Sequence, residues 1–334
     1  MTCFYDPLGS GLLLDNLLAF SAQVRNQGLK LLVVELAFGD LPFVIPNHAA
    51  DSLVRVRSSV VLWQKERLLN LGISRLPAVC DKIAWLDADI VFENPDWVKE
   101  TARMLERFVA LQPFETAYWR RPAETGAPPA SAPRGLGDGC RMPSMASVVS
   151  HHPNPRTVLA DYFEHGHSGF AWAARRDVLQ RHGLYDRSIL GGGDIVIAHS
   201  LFSDSDFWRG RNWFCRQMTK PEISLAAAWG RRLAGDVQGS VSHVPGEVVH
   251  FWHGSVARRG YMERMKILLR HDFDPATDIA VDPHNECWRW ATHKPLLHDE
   301  VANYFSLRQS NDRHGEPASV SSAGISALGV GASP

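Results

Sequence analysis

Net charge is nearly absent from this chain: 35 Lys and Arg stand against 36 Asp and Glu, a formal charge of −1. A balance this even excludes any global attraction to nucleic acid or to a membrane surface. Cysteine is scarce too. The five that occur, Cys3, Cys80, Cys140, Cys215 and Cys287, are scattered, odd in number and without C-x-x-C spacing. They read as reduced thiols, which excludes a disulfide frame or a cysteine zinc site. No uninterrupted apolar run approaches the ~18 residues of a membrane span, and the opening MTCFYDPLG lacks a basic stretch before an apolar core. The expectation is a soluble, cytoplasmic protein with no membrane partner. No internal repeat is visible.

What is present is a chain of 334 residues, long enough for one large α/β domain or two smaller ones with a sizeable core. The stretch DNLLAFSAQVRNQG is helical and stopped by Gly28, and LKLLVVELAF is a buried strand ending near Glu35. Residues 60–72 form a second amphipathic helix, and DWVKETARMLERF a third, with Asp96 as its N-cap. VALQPFETAYW reads as one further strand. Residues 120–156 are rich in Pro, Gly, Ala and Ser without periodicity, which marks either a mobile stretch or a lid over a site. HSGFAWAARRDVLQRHG turns into a helix ending at Gly183, and the low-bulk tail 310–334 is expected to be disordered.

The segment KIAWLDADIVF poses the first chemical question, because an apolar strand is broken by Asp87 and Asp89. Such a run suits a parallel strand covered on both faces, whose carboxyl end is where ligands bind. Side chains two apart on a strand share a face, so both carboxylates can converge. Converging carboxylates repel unless a cation lies between them, and a divalent cation with oxygen ligands, itself holding a diphosphate, satisfies that condition. Strand-ending aspartates also cap turns, which is the structural alternative.

A second constellation follows. SILGGGDIVIAHSLF sets Asp194 behind three glycines, where it reads equally as a general base or as a helix N-cap. GEVVHFWHGSVARRGYMERM places His250 at the end of a short strand, His253 three residues on, and then Arg258 and Arg259. The histidines read as metal ligands or as structural residues, and the arginines as charge partners for a diphosphate.

Taken in order, KERLLNLGI, KIAWLDADIVF, HSGFAWAARRDVLQRHGLYD, GGGD and VVHFWHG resemble the glycosyltransferases of the GT-A fold. The similarity is to the galactosyltransferase and polypeptide N-acetylgalactosaminyltransferase group in particular, and covers roughly residues 1–270. The resemblance implies a Rossmann-like, mixed but mostly parallel sheet flanked by helices. It implies that Asp89 ligates Mn2+ or Mg2+, that Asp87 touches ribose or metal, that His250 or His253 completes the metal site, and that Asp194 is the base on the acceptor hydroxyl. Lys65 and Asn70 resemble nucleotide-contacting positions; Gly169 resembles the turn cradling the donor sugar, with Trp172 as a stacking wall or a core residue. The implied donor is a nucleotide-sugar, a UDP-sugar first. One position departs from the family's Gly-Gly-Glu-Asp: Gly193 stands where Glu is usual.

The expected organisation is a GT-A domain over 1–270 with a basic-aromatic insertion at 203–240, a helical extension over 271–309, and the tail. The insertion interleaves Trp208 and Trp213 with Arg209, Arg211 and Arg216, and residues 209–270 carry eleven Lys or Arg against four Asp or Glu. Stacking aromatics among cations suit a DNA acceptor bearing a hydroxymethylated base such as 5-hydroxymethylcytosine, and equally a glycan or saccharide acceptor. A metal phosphoesterase and a non-catalytic sugar-nucleotide binder are the competing functions.

Overall fold

The computed structural model describes residues 1–7, 11–122, 124, 128–129, 131–162, 164–204, 207–210, 212–254, 260–261 and 263–313, with the side chains of 308–313 excepted. Its first part runs β1 (Thr2–Tyr5), α1 (Leu12–Asn26), β2 (Leu32–Phe38), β3 (Ser52–Ser58), α2 (Lys65–Arg75), β4 (Lys82–Leu86) and β5 (Ile90–Phe92). Next come α3 (Trp97–Met104), β6 (Ala110–Gln112), β7 (Thr116–Trp119), β8 (Arg141–Pro143), α4 (Met145–His151), α5 (Pro155–Ala160), β9 (Ala171–Arg175) and α6 (Arg176–His182). The last are α7 (Gly193–Leu201), α8 (Lys220–Val237), β10 (Val241–His243), β11 (Glu247–His250), α9 (Met265–Arg270), β12 (Ile279–Val281), β13 (Trp288–Trp290) and α10 (Pro295–Arg313).

Strands β1, β2 and β3 pair in parallel with β2 central. The Met1 amino group donates to Ala84 O (2.7 Å) and Leu86 N–H to Met1 O (3.1 Å), the pattern of a parallel neighbour, so β4 continues this sheet. Beyond β4 the order is β9, β6, β10, with β9 antiparallel to both β4 and β6. A second sheet has the order β5, β11, β7, β8, and β12 and β13 form a hairpin. The molecule is therefore α/β with mixed sheets. The expectation of a mostly parallel sheet needs correction, since antiparallel pairings are as common as parallel ones, and β4 itself borders an antiparallel strand. The short β1 and the half-exposed β3 are not legible in the sequence, because neither carries a long apolar run.

Alternation on β2 sorts the core into layers. Leu32, Val34, Leu36 and Phe38 pack with Leu68 and Leu71 of α2 and with α7 and α8 beyond, while Val33 packs with Leu17, Phe20 and Val24 of α1. Glu35 does not end the strand. It is 2% exposed, yet its carboxylate accepts from Ile45 N–H (3.0 Å) and pairs with Arg55 (3.2 Å), so the strand runs through it to Phe38.

Other boundaries also moved. The expected single strand before residue 120 is two, β6 and β7, on different sheets. HSGFAWAARRDVLQRHG is a strand followed by a helix. The loop 120–156 contains β8 and α4, and the insertion 203–240 contains α8, an 18-residue helix packed on α7. The extension after residue 270 holds a hairpin as well as a helix, and that helix continues to Arg313. Residues 314–334 lie outside the described residues.

Candidate functional site

Antiparallel pairing of β5 with β11 sets Ile90 opposite His250, and Phe251 N–H donates to Asp89 O (2.7 Å). This register brings the turn after β4 against the end of β11. Asp89 Oδ2 lies 2.8 Å from His253 Nε2 and 3.6 Å from His250 Nε2. The three donor atoms lie within 4.8 Å of one another. Ligands held at ~2.1 Å from one cation stand about 3 Å apart, so the spacing fits a single ion. Asp89 Oδ1 is buried and has no partner among the described residues. An orphaned buried carboxylate oxygen beside two imidazoles is the donor set a divalent metal would satisfy. Burial acts to raise the Asp89 carboxyl, yet the His250 and His253 rings hold it well below the usual carboxylate range.

Asp87 takes a different part. It is not in the cluster; its carboxylate is ion-paired with Lys65, the first residue of α2. Burial raises the Asp87 carboxyl and Asp89 adds to that, with Lys65 opposing. Asp87 to Asp89 form a turn between β4 and β5, so strand alternation is not what brings the two carboxylates to one cavity.

That cavity, about 220 Å³, is lined by Asp87, Asp89, His250, Asp194, Lys65 and Glu66 among others. A larger hollow of about 500 Å³ over α4 and α5 includes none of these. Asp194 stands in the first turn of α7, whose N-cap is Gly192 with no side-chain cap bond, so the capping alternative for Asp194 is not what the helix uses. Its carboxylate rests on Gly169, where a β-carbon would come within 2.5 Å of Oδ2. Gly169 is thus a close-approach glycine beneath the acid.

The three glycines before Asp194 have a common explanation. Side chains from elsewhere close onto each: the Arg264 guanidinium on Gly191, the Phe214 ring on Gly192, and the Glu66 carboxyl on Gly193. Gly192 also has φ +90°, which a larger side chain would adopt only with strain.

Several site residues were not foreseen. Arg264 is 7% exposed, lies over the Tyr261 ring (4.7 Å to its centre) and reaches toward Tyr304 Oη (3.5 Å); its Nε has no partner among the described residues. His167 lines the cavity, accepts from Gly169 N–H (3.2 Å) through Nδ1, and is lowered by burial to about 4, so it is neutral at physiological pH. Phe170 adopts φ 68°, held by stacking on His167 (4.0 Å between ring centres) and His250 (5.1 Å). Glu66 is 4% exposed and raised by burial to about 7.

Two expected contacts lie elsewhere. Trp172 is 1% exposed in the core, stacked on Trp85 with its indole donating to Ser168 O (2.7 Å). Asn70 is spent on Leu184, donating to its carbonyl (2.9 Å) and accepting from its N–H (2.7 Å). Both are structural for the same reason: their polar atoms are consumed within the fold, by the backbone and, for Asn70 Nδ2, also by the Asp186 carboxylate (3.1 Å). Arg258, Arg259 and Arg211 lie outside the described residues. In the basic-aromatic segment Arg209 and Arg216 are exposed, while Trp208 and Trp213 are half-buried and pack against the core.

No protein-family profile and no curated protein matches this chain. The five cysteines are all free thiols, and no helix among the described residues is long and apolar enough to cross a membrane.

Proposed function

We propose that this chain is a metal-dependent glycosyltransferase of the GT-A type, moving a sugar from a UDP-sugar or related nucleotide-diphosphate donor to an acceptor hydroxyl with inversion. The observation that carries the reading is one cavity lined by Asp89 and His250 of the three-residue cluster, with His253 behind them on Asp89, and by the buried Arg264 and by Asp194. Asp89, His250 and His253 would hold Mn2+ or Mg2+, which when bound supplies charge neutralisation to a diphosphate leaving group. Arg264 adds fixed positive charge to the same cavity, where Lys65 is balanced by Asp87, and it is the described cation for the task expected of Arg258 and Arg259. Asp194 takes the proton of the acceptor hydroxyl as it attacks the face opposite the diphosphate. Neutral His167 and the stacked Phe170 line the cavity.

A two-metal phosphoesterase is less well supported, because the described residues gather a single three-ligand cluster. For the acceptor, the exposed Arg209 and Arg216 favour trying duplex DNA bearing 5-hydroxymethylcytosine beside simple saccharides; the core-packed aromatics between them lend no further support. The test is UDP release from UDP-sugars with MnCl2, run beside Asp89→Ala. Turnover that needs both metal and Asp89 is expected. Equal turnover in parent and variant, or none with any donor, overturns the reading.

A further inference from the structure

We propose that Glu66, carried on α2, binds the acceptor hydroxyl and orients it toward Asp194, doing from a neighbouring helix what a side chain at position 193 would do. This rests on the glycosyltransferase reading above. The geometry is specific: a β-carbon added to Gly193 would stand 2.6 Å from the Glu66 carboxyl carbon and 2.7 Å from its Oε1. The Glu66 carboxyl therefore occupies the volume in which a side chain of residue 193 would begin. The resembled family places an acid at that position immediately before the aspartate, whereas here the chain has glycine there and an acid arriving from α2.

Three further observations separate Glu66 from an ordinary buried acid. Its Oε2 accepts from Trp63 Nε1 (3.1 Å), which fixes the carboxyl against the cavity wall. Although Lys65 is its neighbour in sequence, that cation pairs with Asp87, and among the described residues Glu66 makes no ion pair. A carboxyl 4% exposed, opposed in its burial by the Lys65 charge only through space, is still a cost to the fold, and such costs persist where a ligand uses the group. It lines the same cavity as Asp194 and lies close enough for the Asp194 charge to help raise it. Raised to about 7, the carboxyl is available in its protonated form near neutrality, so it can donate to a hydroxyl oxygen as well as accept from its hydrogen.

In the transfer step the acceptor oxygen forms its bond to the anomeric carbon while the bond from that carbon to the diphosphate breaks, the electron pair leaving with the diphosphate. The hydroxyl proton passes to Asp194. Glu66 holds the hydroxyl by hydrogen bond and undergoes no net change.

The experiment compares the parent with Glu66→Gln, Glu66→Ala, Gly193→Glu and the double variant Glu66→Ala/Gly193→Glu. UDP-glucose, UDP-galactose and UDP-N-acetylglucosamine with MnCl2 are the probes, titrated calorimetrically and assayed for UDP release. Donor affinity within about twofold of the parent is expected in both Glu66 single variants, with UDP release falling on the order of tenfold to a hundredfold. The double variant is expected to recover much of that loss. Gly193→Glu alone is expected to melt at lower temperature, because two side chains claim one volume. Release at the parent rate in Glu66→Gln overturns the proposal, as does donor affinity that falls in step with rate, or a double variant no better than Glu66→Ala. A parent that binds no UDP-sugar with metal overturns the glycosyltransferase reading, and this inference falls with it; that failure is seen in the parent, whereas the others are seen only in the variants.

Discussion

Asp87 and Asp89 are one residue apart and do different work. Asp89 is held between two imidazoles with one oxygen unpartnered, whereas Asp87 is neutralised by Lys65. Substituting them should therefore have separable effects. Asp89→Ala is expected to weaken Mn2+ binding by at least about tenfold, while Asp87→Asn leaves it within a few-fold of the parent. Manganese titration followed by electron paramagnetic resonance checks both, and equal losses in the two variants would mean that Asp87 also ligates. The residue types at these positions were readable from the chain, because an acid in an apolar run is conspicuous. Glu66 and Arg264 were not, since an acid on an amphipathic helix, or a base in the turn before one, reads as solvent-facing until the partner surface is known.

Helix α8 shows how an element is anchored. Thr219 is its N-cap, accepting from Glu222 N–H (3.3 Å) while Glu222 accepts from Thr219 N–H (2.8 Å), and the threonine hydroxyl also donates to Phe273 O (2.7 Å). Thr219→Ala loses the cap and the tie to Phe273 together, and an urea melt should show a loss of about 1–2 kcal/mol. Glu222 makes the element pH-sensitive. Burial raises its carboxyl to about 7 from an ordinary 4.5. Between those values the unfolded chain ionises while the folded one stays protonated, so the native state binds more protons and stability falls as pH rises through that window. Glu222→Gln keeps the capping box and removes this term. Its melting temperature should gain on the parent between pH 5 and pH 8, and an unchanged difference across that range would refute the assignment.

At the scale of the molecule, the C-terminal hairpin is fastened to the helix that carries Lys65 and Glu66. Gln64, fully buried, donates to Trp288 O (2.9 Å) and accepts from Trp288 N–H (2.9 Å), while Arg67 and Arg187 lie over the Trp288 ring. Gln64→Ala strands two buried backbone groups and should cost about 3 kcal/mol in chemical denaturation. If α2 depends on this clamp, the same variant also loses donor turnover beyond what its stability explains. What the sequence determined by itself is local: which runs are strands and helices, where glycines break them, and that acids and histidines stand at strand ends. Those properties follow from periods of two and 3.6 residues and from turn chemistry, all confined to a few neighbouring positions. The tertiary structure alone decided that β5 pairs with β11, the register by which both His250 and His253 reach Asp89, and that α2 lies against the glycine loop, which puts Glu66 on Gly193. Strand register and helix placement arise from packing between segments far apart in the chain, and no local period encodes them.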